Sequence, residues 1–312
     1  MIIYRELSSL EKDLGVSSKM LYTLSNQRHR HYRNVKISKG NGEFRQLCVP
    51  DDFLKAVQTK IALNLLAHEP ISPYAKAYRP GGSTLKNAQP HVGMPVLLKM
   101  DIRHFFDHIF YPMVKEKAFP AERYSEANRV LLSLLCVHRD SLPQGAPTSP
   151  AISNIIMRDF DNSVGAWCEE RNIAYTRYCD DMTFSGDFDP REVKRFVKAQ
   201  LRTMGFFAND KKTVAVGSGQ KQTVTGIVVN ERPNVSAAYR RKLRQELYYC
   251  RTYGVGSHME RTHIDVSEDT YLRQLLGRVN YVLSVDPTNQ EMHEYKNWLQ
   301  KMLKNYKRGA LL

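Results

Sequence analysis

The sequence has few cysteines, no long apolar segment and no signal peptide, and each absence excludes a class of protein. Its five cysteines are an odd number without a Cys-x-x-Cys pair; they are Cys48, Cys136, Cys168, Cys179 and Cys250. This usage argues against a disulfide framework or a zinc site and favours reduced thiols in a cytoplasm. The longest apolar candidate, residues 130–137, is interrupted by Ser133 and falls short of the roughly 20 residues of a membrane-spanning helix. The first residues lack the basic-then-apolar pattern of a signal peptide, so we expect a cytoplasmic protein without a membrane partner.

Acidic residues are also scarce relative to basic ones. The 312 residues include 46 Lys and Arg against 32 Asp and Glu, a net charge of +14. A strongly basic protein favours a polyanionic partner, and nucleic acid fits better than a membrane surface here. The length is sufficient for two or three subdomains around a sizeable core.

Two adjacent carboxylates stand in the tetrapeptide Tyr178-Cys179-Asp180-Asp181. Its flanks are rich in β-branched and aromatic residues, which predicts a β-hairpin with both carboxylates at the turn. Like charges side by side raise one pKa unless something compensates, and Mg²⁺ accepts hard carboxylate oxygens. On the dipeptide alone, a solvated Asp-Asp turn is the alternative.

A third carboxylate, Asp101, ends the apolar stretch 96–100, which reads as a buried strand. It precedes Asp180 by 79 residues, but a strand end and a hairpin turn can be neighbours in one sheet. Three carboxylates meeting there can hold two metal ions roughly 3.5–4 Å apart, as in-line phosphoryl transfer requires.

Three segments in this order resemble the A, B and C motifs of reverse transcriptases: Asp101-Ile102-Arg103-His104-Phe105-Phe106, Leu142-Pro143-Gln144-Gly145-Ala146-Pro147-Thr148-Ser149-Pro150 and the tetrapeptide above. Two further elements resemble those of retron reverse transcriptases, namely Asn87-Ala88-Gln89-Pro90-His91 and Val224-Thr225-Gly226. The resemblance covers residues 20–312. It departs from the commonest third motif in having Cys179 instead of Ala, from which we expect little change.

The resemblance implies an α+β right-hand polymerase fold with fingers, an antiparallel palm sheet and a helical thumb. It divides the chain into an N-terminal helical extension (1–34), fingers (35–95), a first part of the palm (96–111), fingers and palm helices (112–140), palm (141–229) and an RNA-binding thumb (230–312).

The resemblance also implies an RNA-directed DNA polymerase with two Mg²⁺ ions bound by Asp101, Asp180 and Asp181. The segment 206–213 is similar to the D motif, whose lysine protonates the leaving pyrophosphate. Either Lys211 or Lys212 fits this role.

The dNTP contacts that the resemblance implies come from three segments. Asn-Gly between alternating runs predicts a fingers hairpin, in which Lys39 and Arg45 are the candidates. The segment similar to motif A supplies Ile102 and Phe106, and the segment similar to motif B supplies Gln144. Phe106 occupies the position where an aromatic ring leaves no room for a 2′-hydroxyl. The alternative for Arg45 is a plain surface charge. The alternative for Phe106 is that it is a core residue together with Phe105.

RNA contacts are predicted in two places. From Ala237 to Arg251 a predicted helix carries five basic residues and one acidic residue, with Arg240, Arg244, Tyr248 and Arg251 on one face. The retron-like segment with Asn87 and His91 is predicted to extend around RNA. The alternative for the helix is a basic face that is only solvated. The alternative for His91 is a histidine that is hydrogen-bonded for structural reasons.

If the retron resemblance holds, the enzyme copies a cognate structured non-coding RNA from a 2′-hydroxyl primer, giving branched RNA–DNA (msDNA). The family implies a role in antiphage defence, with a separate effector protein and a host RNase H that trims the template, because no RNase H segment is recognisable here. A group II intron-like or diversity-generating reverse transcriptase is one alternative, and a non-catalytic RNA-binding scaffold is another.

Overall fold

The computed structural model describes residues 3–4, 6–38, 42 and 44–309, with side chains described up to residue 305. The chain forms two compact units, Met1–Gly82 with Val96–Ala215 and Ser83–Pro95 with Val216–Leu312. Both helices and sheets contribute to it, which confirms the predicted α+β class.

The elements follow one another in a mixed order. They are α1 (Leu7–Leu14), α2 (Ser18–Gln27), β1 (Tyr32–Ser38), β2 (Phe44–Pro50), α3 (Asp52–Lys60), α4 (Thr84–Ala88), β3 (Val96–Asp101), α5 (Tyr111–Met113), α6 (Glu126–Cys136), α7 (Ser149–Glu169), β4 (Ala174–Tyr178), β5 (Asp181–Gly186), α8 (Pro190–Thr203), β6 (Val214–Gly217), β7 (Thr223–Val224), β8 (Ile227–Val228), β9 (Asn234–Val235), α9 (Ala237–Tyr253), α10 (Val255–Arg261), α11 (Glu268–Val285) and α12 (Gln290–Gly309). Helical turns extend α3 to Leu66 and α5 to Ala118.

The central sheet has the strand order β4-β5-β3-β6. Strand β5 pairs antiparallel with both β4 and β3. Apolar residues alternate into the core along these strands, with Leu98, Met100, Met182 and Phe184 buried. Helix α7 covers the sheet with an apolar face that includes Ile152, Ile156, Phe160 and Val164. Helix α7 thus packs on the sheet in which the ends of β3 and β4 lie beside the start of β5.

The N-terminal helices belong to the same hydrophobic core as the sheet. Leu10, Leu14, Leu21 and Leu24 are fully buried in it. Helices α1 and α2 of the predicted N-terminal extension therefore pack into the core of the first unit.

Residues 83–95 group with the C-terminal part of the chain instead of with the fingers segment to which the sequence analysis assigned them. The N–H of Gly93 donates to the carbonyl of Val229 at 2.8 Å, and the Thr225 hydroxyl donates to the carbonyl of Thr84 at 3.1 Å. Residues 87–91 form the end of α4 and a 3₁₀ turn, and the contact with RNA expected of this segment stays a prediction.

The segment that contains the retron-like triplet Val224-Thr225-Gly226 forms a very tight hairpin. Strands β7 and β8 pair around Thr225 and Gly226, both of which have positive φ values, of 45° and 84°. Strand β9 completes a three-stranded sheet in the order β7-β8-β9. Glycine accepts such a conformation without strain, which explains why a glycine suits position 226 of the triplet.

Within the described ranges, none of the helices has the length and apolar composition needed to cross a bilayer.

Candidate active site

The hairpin predicted around Tyr178–Asp181 is present, with β4 ending at Tyr178 and β5 beginning at Asp181. Its turn residue Cys179 has a left-handed backbone conformation, with φ at 62°. A side chain with a Cβ adopts this conformation only at a cost, so contacts outside the turn must support it. Burial raises the pKa of the Cys179 thiol to about 12, and the Tyr78 hydroxyl donates to its sulfur at 3.4 Å.

A fully buried ion pair supports this turn from below. Arg177 lies in β4 with its guanidinium on Asp161 of α7: Nε is 2.8 Å from Oδ1, and Nη2 is 2.6 Å from Oδ2. Neither side chain is exposed to solvent. A third donor of Arg177, Nη1, binds the carbonyl oxygen of Cys179 at 2.9 Å. The ion pair therefore connects helix α7 directly to the carboxylate turn.

Two more polar groups complete the buried network. The Tyr175 hydroxyl donates to Asp161 at 2.8 Å. Asn154 accepts from Arg177 at 3.2 Å and donates to the carbonyl of Ala77 at 2.9 Å. Because a buried ion pair is tolerated only when its remaining donors and acceptors are satisfied, this network fixes β4 relative to α7.

The sheet brings Asp101 next to the two turn carboxylates. Asp101 is the last residue of β3 and stands directly opposite Asp181 of β5 in the antiparallel register. The N–H of Ile102 donates to the carbonyl of Asp180 at 2.9 Å. The predicted convergence of Asp101, Asp180 and Asp181 at one edge of the sheet is thus found in the structure.

Negative charge accumulates at this edge. Burial, followed by the charges of Asp180 and Asp101, raises the pKa of Asp181 to about 6. The ammonium groups of Lys212 and Lys99 oppose this rise. Burial and neighbouring negative charge both favour the protonated form of a carboxylic acid, and groups perturbed in this way cluster at functional sites.

Lys212, and not Lys211, contacts the cluster. Its Nζ lies 3.0 Å from Oδ2 of Asp101, and Asn209 donates through Nδ2 to Oδ1 of the same carboxylate at 3.0 Å. Burial tends to lower the pKa of Lys212, but the bond to Asp101 and the charges of the carboxylates raise it. Lys212 is therefore protonated at neutral pH beside the carboxylates.

Among the described residues, no group of three His, Cys, Asp or Glu side chains is placed so that it could hold a metal ion, but the oxygen donors at this edge are of the type that suits a divalent cation. Three carboxylates offer hard oxygen ligands, and the raised pKa of Asp181 marks charge that a cation would neutralise. Both oxygens of Asp101 are engaged by Lys212 and Asn209, so cation binding there requires the ammonium of Lys212 to withdraw.

Phe105 and Phe106 differ in burial, which distinguishes their roles. Phe105 is buried in the core, whereas Phe106 is only partly buried at its edge. The two rings are tilted by 55° with centroids 5.3 Å apart. Phe106 is thus partly accessible, and its role as the sugar gate stays a prediction.

Gln144 lies in a turn that packs against strand β2. Its carbonyl accepts from the N–H of Cys48 at 2.8 Å. Gly145 has a φ of 125°, and a Cβ there would lie 3.1 Å from the Cys48 carbonyl oxygen, so glycine permits the close approach of the two segments. A cavity of about 300 Å³ beside this turn is lined by Gln144, Gln46, Asn34, Asp107 and Arg139.

The other predicted nucleotide contacts vary in exposure. Arg45 is exposed on β2, opposite Ile37 of β1. The Ile102 side chain is buried in the core, so only its backbone can reach a nucleotide. Lys39 lies outside the described residues.

The predicted RNA contacts are only partly accessible. Asn87 and His91 are buried within the second unit, where Asn87 donates to the Thr225 hydroxyl at 3.4 Å; their burial indicates a structural role. Arg244 forms an ion pair with Glu291 at 2.7 Å. Arg240 is half-buried, while Tyr248 and Arg251 are exposed.

Sequence reasoning did not identify Asp161, Arg177 or Asn209 as parts of the site. Arg177 was detectable, because a charged residue within an otherwise buried strand needs a buried partner. Nothing in the spacing indicates that the partner is Asp161, which depends on how α7 packs on the sheet.

The sequence profile of the family described as "Reverse transcriptase (RNA-dependent DNA polymerase)" matches residues 37–229. Curated relatives include the Retron Mx65 reverse transcriptase of Myxococcus xanthus, 30% identical over 93% of this chain and 70% of that protein. The Retron Ec83 reverse transcriptase of Escherichia coli is 30% identical over 90% of this chain and 92% of its own. The Retron Ec86 reverse transcriptase of the same species is 26% identical over 99% and 93%.

Solved structures with a similar course include apo telomerase from Candida tropicalis, with a TM-score of 0.46, 12% identity and coverage of 93% of this chain and 63% of that chain. A foamy viral protease-reverse transcriptase in complex with double-stranded DNA has a TM-score of 0.44, 15% identity and coverage of 88% and 44%. This chain therefore spans less than two thirds of either solved chain.

Proposed function

Because this chain belongs to the retron-type reverse transcriptases, a family of RNA-directed DNA polymerases, we propose that Asp101, Asp180 and Asp181 bind two Mg²⁺ ions that serve DNA synthesis on an RNA template. The observation that carries this assignment is the register that sets Asp101 opposite Asp181. Two Mg²⁺ ions at such a site lower the pKa of an attacking hydroxyl and neutralise charge on the leaving pyrophosphate. In the family's terms, the central sheet is the palm, hairpin β1–β2 belongs to the fingers, and α9–α12 form the thumb.

Lys212 is the proposed general acid of the reaction. It is protonated and lies 3.0 Å from Asp101, and withdrawal from that carboxylate frees its ammonium to donate a proton to pyrophosphate. Lys211 is exposed one residue earlier and has no described contact with the carboxylates, which favours Lys212 for this role.

The nucleotide is held by residues around the turn at Gln144. The partly buried ring of Phe106 screens the sugar, and Gln144 contacts the sugar or triphosphate from the cavity beside it. The exposed guanidinium of Arg45 is available for bidentate binding of phosphate oxygens, with Lys39 as its proposed companion. Ile102 contributes through its backbone.

The template is proposed to be one structured non-coding RNA, and synthesis to begin from a 2′-hydroxyl of that RNA, giving msDNA. The retron relatives support this assignment over a group II intron-like or diversity-generating enzyme. The same relatives motivate a role in antiphage defence, a separate effector protein, trimming of the template by a host RNase H, and a cytoplasmic location.

The test is incorporation of dNTPs on a primed RNA with Mg²⁺, for the wild type and for Asp181→Asn. We expect synthesis by the wild type and a loss of at least about 100-fold in the variant, because one ligand charge of the metal site disappears. Asp187→Asn, a change of the same kind just past the end of β5, is the matched control and retains activity.

The competing hypothesis is a non-catalytic RNA-binding scaffold. It predicts that the wild type and Asp181→Asn are both inert while RNA binding persists. To test the retron assignment, RNA that copurifies with the protein is sequenced; one structured species carrying a 2′-linked DNA branch is expected, and a mixture of unbranched cellular RNAs contradicts it.

A further inference from the structure

A cavity of about 580 Å³ lies within the second unit between helices α9 and α10, outside the site described above. Its lining includes Lys242, Glu246, Tyr249 and Tyr253 from α9, and His258 and Arg261 from α10. This volume falls within the range of small-molecule sites, which are concave and combine apolar walls with a few polar groups.

The cavity is on the side of α9 opposite to the basic face that the sequence predicted. At about 100° per residue in an α-helix, Lys242, Tyr249 and Tyr253 cluster together on one side. Arg240 and Arg251 fall on the other side. The cavity residues therefore form a second polar surface of the helix.

Three aromatic rings, those of Tyr249, Tyr253 and His258, contribute to the cavity wall. Tyr249 stacks on the ring of His258 with centroids 6.0 Å apart and planes 23° from parallel. Tyr253 lies 6.0 Å from Tyr249 and is 57% exposed. Large exposed aromatic side chains beside a cavity mark binding surfaces, and tyrosine rings offer a planar partner for stacking.

The charge around the cavity is positive. Lys242 and Arg261 are exposed, and neither forms an ion pair with a residue that the structure describes. Glu246 is the acidic member of the described lining, and it is neutralised by an ion pair with Arg278. The surface thus combines planar stacking groups with uncompensated cations, a combination that suits single-stranded nucleic acid.

His258 adds an unsatisfied polar atom to this wall. The residue is 7% exposed, and its Nε2 is buried without a hydrogen-bond partner among the described residues. A buried ring nitrogen without a partner is costly. Because this atom is closed to solvent, the edge of a nucleobase reaches it only if the His258 ring shifts toward the cavity that it lines.

We propose that this cavity receives an unpaired nucleobase of the RNA partner, stacked on Tyr249 and Tyr253, with Lys242 and Arg261 binding the flanking phosphates. The proposal rests on the proposed function insofar as RNA is the partner. It adds a base-accepting subsite remote in sequence from the catalytic carboxylates, and it predicts a preference for single-stranded over fully paired RNA.

The probe is a single-stranded RNA of about twelve nucleotides, a length within the site sizes of single-strand binders, containing one 2-aminopurine. Binding of the wild type is expected to change the 2-aminopurine fluorescence as the base leaves its neighbours and stacks on tyrosine. Tyr253→Ala is expected to weaken binding by about tenfold, whereas Tyr253→Phe, which retains the ring, keeps the affinity and the fluorescence change.

Two comparisons make the result specific. Tyr22→Ala removes a similarly exposed tyrosine, 41% exposed on α2, and is expected to leave the affinity unchanged. A fully paired RNA of the same length is expected to bind wild type and Tyr253→Ala equally, because it has no base to insert. Equal losses for the single strand and the duplex overturn the proposal, since they indicate general electrostatics.

The phosphate contacts are tested by salt dependence. Replacing both Lys242 and Arg261 by Gln is expected to reduce the slope of log affinity against log salt by about 1.4, or 0.7 per single-strand phosphate contact. Lys301→Gln, at an exposed position on α12, serves as the charge control with an unchanged slope. If Lys301→Gln reduces the slope as much as the double variant does, then specific phosphate contacts by Lys242 and Arg261 are refuted.

Failure of this proposal is distinguishable from failure of the proposed function, because primer extension by the wild type is measured in parallel. Suppose that the wild type extends primers and that Tyr253→Ala binds single-stranded RNA as tightly as the wild type. That result overturns the base-binding subsite and leaves the proposed function intact. That outcome includes the case in which a protein partner occupies the cavity.

Discussion

The guanidinium of Arg177 and the carboxylate of Asp161 face each other where solvent does not reach, with Nη2 2.6 Å from Oδ2 and both side chains 0% exposed. The same guanidinium holds the carbonyl of Cys179 at 2.9 Å. The Arg177–Asp161 pair thus fixes the turn that carries Asp180 and Asp181. Apolar residues in the same place could fill the core but could not bind the Cys179 carbonyl.

Replacing Asp161 by Asn is expected to lower the free energy of unfolding by about 3–5 kcal/mol, because the variant leaves an uncompensated charge in the core. Urea unfolding measures this loss. The control is Asp159→Asn on the same helix, whose partner Lys117 lies 2.9 Å away with side chains 50% and 57% exposed; an exposed pair contributes at most about 1 kcal/mol. Equal losses in the two variants contradict the buried-pair argument.

Local signals in the sequence were sufficient for the elements that carry the carboxylates. The β-branched flanks of Tyr178–Asp181 specify a hairpin, and the apolar stretch before Asp101 specifies a strand. The pairing of Asp161 with Arg177 was not predictable, because it depends on how a helix face packs on the sheet. The burial of Asn87 is likewise a result of contacts with Thr225, 138 residues away in the sequence.

The raised pKa of Asp181, about 6, predicts how stability depends on pH in the absence of divalent cations. Between the ordinary pKa near 3.8 and 6, the folded state binds more protons than the unfolded state, so stability falls as pH rises through this window and is then level. Asp181→Asn is expected to reduce that fall. Because Asp181 is exposed at the start of β5, the difference at pH 8 is at most about 1 kcal/mol.

Thermal unfolding in EDTA at pH 4.5 and pH 8, for wild type and Asp181→Asn, measures this effect. The variant is expected to match the wild type at pH 4.5 and to exceed it at pH 8. Asp187→Asn is the control and is expected to show the same pH dependence as the wild type. A wild type whose stability rises between pH 4.5 and 6 by an amount that Asp181→Asn abolishes contradicts the raised pKa.

Lys212 and Lys211 form a matched pair of adjacent lysines of which one contacts Asp101. Lys212→Ala is expected to slow the chemical step of nucleotide incorporation by about 100-fold, the usual contribution of a general acid. It is also expected to tighten Mg²⁺ binding, because Asp101 loses a competing ammonium. Lys211→Ala is expected to change both quantities by less than about threefold, within the small effects of surface substitutions. Single-turnover kinetics at several Mg²⁺ concentrations separate the two effects, and equal behaviour of the two variants removes Lys212 from its role.

Phe106 and Phe105 allow sugar selectivity to be separated from stability. Phe106→Ala is expected to admit ribonucleotides, because it opens space at the 2′ position, while its partly buried ring contributes little to the core. Phe105→Ala is expected to cost about 3–5 kcal/mol of stability, since it leaves a cavity in the core, with its sugar preference unchanged while it remains folded. The ratio of dNTP to rNTP incorporation, measured below the unfolding temperature of each variant, distinguishes them. If the ratio changes in Phe105→Ala and not in Phe106→Ala, then the buried ring of Phe105 shapes the sugar pocket and the partly buried ring of Phe106 does not.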